Sequence, residues 1–391
     1  MKVGIVHTNY IKKGGEDVVV EQETIQLRDR NIDTSVLLFQ NPKGKAAQIT
    51  GMLSSLFNVA SWKRMNKWME QEKPDIIHIH NWHFSASPSV IMAASRKGIP
   101  VVHTLHNFRL LCPSGLLLHN NKLFLDSLKG PFPWQAVFKK VYHDSFFQTF
   151  WLSLTVWLHK NMGTFKNIDR FIVLTGNAKK IFTSSSFPMD ESKIDIKPNF
   201  IQDIQLSPVE RGNNFLFIGR LAPEKGIDIL LEAFDGTDFE LTIIGEGPLE
   251  HLVEKAMQKN PKIRYLGFQA RPAILTELQK CSAMVFPSIW YEGNPLVIIE
   301  ALACGTPIIS SRMGAMETMI RDGYNGMHYD PESVEDFRNK LKTWQGMYAT
   351  ERNIMYVNAR ESYVTTYTAE KNIEQLLLIY KSVINEKSRL T

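Results

Sequence analysis

The sequence predicts an α/β protein built from two doubly wound parallel-sheet domains. Three observations lead there. Short runs rich in Val and Ile alternate with stretches of helical spacing along the chain, the pattern of βαβ units. These runs lack polar alternation, so each strand expects apolar cover on both faces. The length of 391 residues also exceeds one core of ordinary size.

In the first half, strands are expected at residues 3–7, 34–39, 75–80, 100–106 and 170–175. In the second half they are expected at 214–219, 240–245, 263–267, 283–288 and 307–310. Between the two series lies FIQDIQLSPVERGNN (200–214), polar and containing Pro and Gly, which reads as a linker. Domains are therefore expected over 1–200 and 201–369, with AEKNIEQLLLIYKSVI (369–384) inside a final helix over about 370–391 that packs back onto the first.

Composition narrows the class. With 44% hydrophobic and 22% charged residues the chain reads as globular and ordered. No signal peptide or membrane span is expected. Three cysteines without a CxxC suit a reducing, cytoplasmic setting. A net charge of +5 suits an anionic ligand or membrane surface and does not argue for nucleic acid.

Ligands of doubly wound sheets sit at the carboxyl ends of the strands, so those loops carry the candidates. After NFLFIG comes RLAPEKG (220–226), then the helical run IDILLEAF. Arg220 and Lys225 thus lie beside a helix start, where cations would stabilise a departing diphosphate. The blander reading is a pair of solvated loop charges, with Glu224 pairing locally. After VGIVH, Gly14 and Gly15 would let the backbone approach a ligand, although the GxGxxG dinucleotide fingerprint is missing.

His78, His80 and His83 in HIHNWH approach a zinc-hydrolase spacing. Trp82 takes the position of the needed Asp, and no downstream set completes the ligands. No metal is expected: His78 and His80 read as hydrogen-bonded core groups, and His83 as able to reach the ligand region. His106 ends an apolar strand beside Asn107, placed to donate a hydrogen bond to a hydroxyl or a developing oxyanion.

Two acids stand in the apolar segment YEGNPLVIIEALACGTP (291–307). Glu292 falls in the loop after AMVFPS and Glu300 on the following helix, with Asn294 expected as the cap and Pro295 in the first turn. Eight helical residues would span roughly 12 Å, and a loop-plus-helix path no more. That matches the two ends of an extended ligand. A glycosidase pair would need about 5–9.5 Å, and has no use for the Arg220 and Lys225 cradle.

Taken together, PDIIHIHNWH, VVHTLHN, IDRFIVLT, KPNF, GRLAPEKG, IIGEGP, PSIWYEGNPLVIIEALACGTPII and GAMETMIRDGYNG resemble, in order and spacing, family 4 of the retaining glycosyltransferases, over nearly the whole length. The resemblance implies the GT-B fold, two Rossmann-like domains facing a central cleft. It implies a hexosyltransferase that uses a nucleotide-sugar donor such as a UDP- or GDP-hexose, with no cofactor and no metal. Arg220 and Lys225, in the loop opened by Gly219, would hold the diphosphate. Glu300 would bind the ribose and Glu292 the sugar. The backbone of Asn294, Leu296 and Val297 would lie near the phosphates, and Gly15 beneath them. His106 would correspond to the family histidine at the donor sugar, and the loop at Gly267, Phe268 and Gln269 would read the base. The family often has Asp where Asn107 stands and a smaller residue where Met316 stands, and some relatives carry extra cysteines beyond Cys112.

Residues 132–160 set Trp134, Phe138, Phe146, Phe147, Phe150, Trp151 and Trp157 among Lys139, Lys140 and Lys160. They read either as core filling or as an amphipathic surface on the inner face of the cell membrane. The second reading fits a polyprenyl-linked glycan acceptor and a role in surface polysaccharide synthesis. The alternatives are a sugar-nucleotide epimerase or hydrolase on the same fold, and a non-catalytic donor-binding subunit.

Overall fold

The computed structural model describes residues 1–10, 14–42, 44, 51–187, 189–206 and 209–390. The chain divides into two units. One comprises Met1–Leu117, Phe124–Asn199 and Glu370–Thr391, the other Leu118–Leu123 and Phe200–Ala369.

The sheet of the first unit is built from β1 (Lys2–Asn9), β2 (Asp33–Gln40), β3 (Ile76–Ile79), β4 (Val101–Leu105), β7 (Arg170–Val173) and β8 (Ile194–Ile196). A two-stranded hairpin, β5 (Leu118–His119) and β6 (Lys122–Leu123), lies between β4 and β7 in the chain. The sheet is parallel throughout, in the order β2-β1-β3-β4-β7-β8. Val3, Ile5, Ile76, Val102 and Ile172 form one of its buried layers. The final helix, Ala369–Leu390, covers that layer with Ile373, Leu376, Tyr380 and Val383.

The second unit holds β9 (Phe215–Ile218), β10 (Leu241–Ile244), β11 (Ile263–Tyr265), β12 (Ala283–Phe286), β13 (Ile308–Ser311) and β14 (Gly326–Tyr329), in the parallel order β11-β10-β9-β12-β13-β14. Period-two alternation divides these strands between two apolar layers. Phe215, Phe217, Ile243 and Val285 face one layer, whereas Leu216, Ile218, Ile244 and Met284 face the other. That is why the sequence shows unbroken apolar runs. The order reverses direction between β9 and β12, and such a switch point opens a crevice at the strand ends.

All ten expected strands are present. β8 and β14 were not anticipated: the first is the three-residue IDI, the second GMHY, and neither is an apolar run. The segment read as a linker is in part firmly packed. Ile201 and Ile204 are buried. The Arg211 guanidinium donates to the carbonyls of Leu278, Cys281, Cys304 and Gly305 and to Thr306 Oγ1, and its face lies 4.3 Å from the Tyr356 ring centre. A polar residue can be a core residue when it satisfies this many carbonyls.

Candidate active site

The chemistry of the second unit gathers at its switch point. After β9 the chain makes a short 3-10 turn, Pro223–Lys225, and enters the helix Ile227–Phe234 through Gly226 at φ 70°. A Cβ at Gly226 would stand 2.0 Å from the carbonyl oxygen of Pro287, so only glycine fits. The close approach lets the loop after β12 zip onto the turn. Ile289 N–H donates to the Glu224 carbonyl at 3.0 Å, and Ser288 Oγ lies 3.2 Å from the same oxygen.

This zipper delivers Lys225 to Glu292. Their Nζ and Oε1 atoms are 2.5 Å apart, and Ser288 Oγ and Trp290 Nε1 donate to the same oxygen at 2.9 and 2.8 Å. The ammonium also lies 5.4 Å from the Trp290 ring centre and 5.7 Å from that of Phe286. Glu292 is only 7% exposed, so the lysine and two further donors replace the water an ionised carboxylate would otherwise require. Arg220 is largely exposed and pairs with Glu224 four residues on, the local pairing weighed above.

The helix carrying Glu300 begins at Leu296. Asn294 is not its cap. Pro295 takes that position with ψ 124°, and Asn294 Nδ2 instead donates to Met319 Sδ at 3.1 Å. Ile298 and Ile299 both direct their N–H groups to the Pro295 carbonyl, which leaves Leu296 and Val297 as the first amides of the helix. Glu300 Oε1 accepts from Arg271 Nε at 2.7 Å. Nothing local announces that pair, because Arg271 opens another helix (Arg271–Lys280) 29 residues earlier. Just before it, Gly267 has φ 62° and Phe268 is 72% exposed. Gly219, at the end of β9, has its carbonyl oxygen 1.8 Å from where a Cβ on Gly245 would stand, so the loops after β9 and β10 also press together. Burial pushes the Cys281 and Cys304 thiols up to about 12, which removes them as nucleophiles.

His106 and Gly15 belong to the first unit. Gly15 opens the helix Gly15–Asp29 behind Gly14, whose N–H donates to Asp17 Oδ2 at 2.7 Å. His106 Nε2 lies 3.0 Å from His80 Nδ1, and burial holds both rings well below the ordinary histidine range, hence neutral. One ring nitrogen of His106 is therefore already engaged, and only Nδ1 remains to meet a ligand.

Behind His106 runs a polar network in which His78 and His80 are the expected hydrogen-bonded core groups, and Glu23, Lys197 and Tyr380 are partners the sequence did not reveal. His78 contacts Tyr380 Oη at 2.6 Å and Thr104 Oγ1 at 2.7 Å. His80 Nε2 lies 3.4 Å from Glu23 Oε2, while Lys197 Nζ reaches Glu23 Oε1 at 2.5 Å and Asn372 Oδ1 at 3.0 Å. Glu23, His78 and His80 offer ligand atoms within 4.8 Å of one another. A buried lysine already neutralises that carboxylate, so the cluster suits an internal ion pair better than a divalent ion. His83 is buried and lines a pocket beside Arg109.

The comparisons agree with this layout. The family model described as Glycosyltransferase Family 4 matches residues 13–203, and that of Glycosyl transferases group 1 matches residues 200–362. The chain is 35% identical over 128 residues to the uncharacterized glycosyltransferase MJ1178 of Methanocaldococcus jannaschii, covering 32% of this chain but only 36% of that one. It is 24% identical to the UDP-Gal:alpha-D-GlcNAc-diphosphoundecaprenol alpha-1,3-galactosyltransferase of Escherichia coli, over 86% of this chain and 82% of the relative. Among solved structures it superposes on the lipopolysaccharide outer core galactosyltransferase WaaB in its apo form, with TM-score 0.66, 16% identity and 99% of both chains covered. It also superposes on Anabaena Alr3699/HepE in complex with UDP, with TM-score 0.69, 15% identity, and 98% and 100% covered. The fold is thus that of the GT-B enzymes, and with the two family models meeting end to end across residues 13–362, the chain belongs to glycosyltransferase family 4.

Proposed function

We propose that this chain transfers a hexose, with retention, from a nucleotide sugar to a hydroxyl of a polyprenyl-linked or free glycan in surface polysaccharide synthesis. The observation that carries the reading is the Lys225–Glu292 pair at the switch point of the second sheet. One oxygen of Glu292 takes three donors, which leaves Oε2 for the hydroxyls of the donor sugar. Lys225 and Arg220 stabilise the diphosphate as the bond from the anomeric carbon to the phosphate oxygen breaks. The electron pair moves onto that oxygen, and the acceptor hydroxyl bonds to the same face while giving its proton to the departing phosphate. Glu300, oriented by Arg271, holds the ribose. The amides of Leu296 and Val297 bind the phosphates, and the backbone at Gly267 and Phe268 reads the base. In the first unit, His106 Nδ1 and the backbone at Gly15 are the candidate donor contacts. Two fixed cations do the work of a metal, so none is required.

The E. coli relative acts, by its name, on a diphosphoundecaprenol-linked sugar, and HepE was solved with UDP. Both support a nucleotide-sugar donor, and the E. coli relative also supports a lipid-linked acceptor. The exposed rings of Trp134, Phe138, Phe146 and Phe147 support attachment to the inner membrane face. No helix among the described residues is long and apolar enough to cross a membrane. The test is calorimetric screening of UDP- and GDP-hexoses, followed by transfer from any hit to a short prenyl-diphosphate-linked sugar in the presence of a chelator. Nucleotide release that tracks transfer and ignores the chelator is expected. Binding without turnover on any acceptor, or loss of transfer with the chelator, would refute the mechanism.

A further inference from the structure

The first unit contains a partly open pocket, with about 40 Å³ of space inside it for the centre of a water-sized sphere, that the transfer chemistry leaves unused. Trp82, Leu110, Leu111, Leu152, Val156 and Trp157 give it an apolar wall. Three buried polar atoms in its lining have no hydrogen-bond partner: His83 Nε2, Ser127 Oγ and Arg109 Nε. Such orphans are uncommon, because each costs the desolvation of its group. Lys160 adds a second cation at the wall, its Nζ donating to the Ser186 carbonyl at 2.7 Å.

Two features indicate an elongated occupant with one charged end. Trp157 in the wall lies 6.1 Å from Phe132, which lies 4.6 Å from Trp134, which lies 6.0 Å from Phe138. Trp134 and Phe138 are exposed, so the apolar lining continues as a strip onto the surface of the unit. In the other direction, His83, Arg109, Trp82 and Leu110 also line a second, smaller pocket together with His80, His103 and His106. The two orphaned donors thus stand between the apolar pocket and the histidine named for the donor sugar.

We propose that this pocket holds the first isoprenoid units of a lipid-linked acceptor, with its phosphate or diphosphate bridged by Arg109, His83 and Ser127. The chain leaves along the Phe132–Trp134–Phe138 strip, and the sugar beyond the phosphate points toward His106. The inference deepens the transferase reading and rests on it for the sugar end alone. Lipid binding is measured without donor, so the two readings fail separately.

The probe is monomeric farnesyl diphosphate, titrated by calorimetry into the full chain, with farnesol and inorganic diphosphate as partial probes. Farnesyl diphosphate should bind at least about tenfold more tightly than either. Arg109→Gln should weaken it about tenfold and leave farnesol unchanged, since a hydrogen bond to a charged group is worth that much. Val156→Phe, filling the wall, should weaken farnesyl diphosphate and farnesol alike. Inorganic diphosphate binding as tightly as farnesyl diphosphate would reduce the site to an anion site and overturn the proposal. Binding to anionic vesicles but not to monomeric farnesyl diphosphate would also overturn it, in favour of a membrane surface. Should Val156→Phe melt early, a benzophenone-tagged prenyl diphosphate decides. Crosslinks at residues 55, 82–83, 109–138, 152–160 or 186–187 support the pocket, and crosslinks elsewhere exclude it. Lipid binding with no binding of any nucleotide sugar would support the pocket while overturning the transferase reading.

Discussion

The two units share a parallel doubly wound sheet yet place their charges in opposite ways. In the second, the strands facing the two cores are almost wholly apolar, and the ionic pairs Lys225–Glu292 and Arg271–Glu300 sit in loops and at helix starts beyond them. In the first, ionisable groups lie within and against the sheet itself: His78 and His103 on β3 and β4, with Lys197 and Glu23 2% and 1% exposed beside them. A pair at the rim can exchange its partner for a ligand at small cost. A pair in the core cannot, because each ion would have to be left bare. The same residue types therefore serve binding in one unit and architecture in the other.

That contrast can be broken most forcefully at Lys197. Lys197→Met strands Glu23 as an uncompensated buried charge and should cost about 3–5 kcal/mol in chemical denaturation. A change within about 0.5 kcal/mol, the range of ordinary surface substitutions, would mean that the core pair is no more structural than a rim pair. Next comes Glu292→Gln, which should lower transfer by about 100- to 1,000-fold, the cost of one preorganised electrostatic contact in a transition state. Its denaturation midpoint should move little beside that of Lys197→Met. Arg271→Ala frees Glu300 rather than removing it, so nucleotide-sugar affinity should fall by only about tenfold, read as a rise in KM with kcat retained.

The smallest effect concerns Glu16, whose carboxyl burial pushes up to about 8 although Arg109 lies near and Tyr10 donates to it at 2.8 Å. The folded chain keeps a proton there that the unfolded chain releases above its ordinary 4.5, so this group's contribution to stability falls as pH rises from 4.5 to 8. Glu16→Gln should abolish that slope. Parallel midpoint-against-pH curves for the two proteins would show that the group is solvated after all.

Much of the second unit was legible because its physics is local. Apolar runs mark strands, and the Gly226 turn and Glu292 announce themselves by sitting next to such runs. Asn294 was misjudged as a cap by one residue, because an Asn-Pro step can place either residue in the extended position. What the sequence hid depends on long-range pairing. Arg271 finds Glu300 from a different helix, Arg211 satisfies carbonyls gathered from two separate segments, and Lys197, in KPNF, has its partner 174 residues away. β8 and β14 escaped for the converse reason: an edge strand of three or four residues has too few side chains to display a period.

The helix Ala369–Leu390 has a consequence for the order of events during synthesis. It brings Asn372 to Lys197, Tyr380 to His78 across 302 residues of sequence, and Glu386 to Arg170, all within the first unit. Every residue of the second unit must therefore leave the ribosome before the first unit can close its core. Domains usually mature in the order in which they are made. Here the earlier half waits with a buried-ion site open, and the later half is free to finish first.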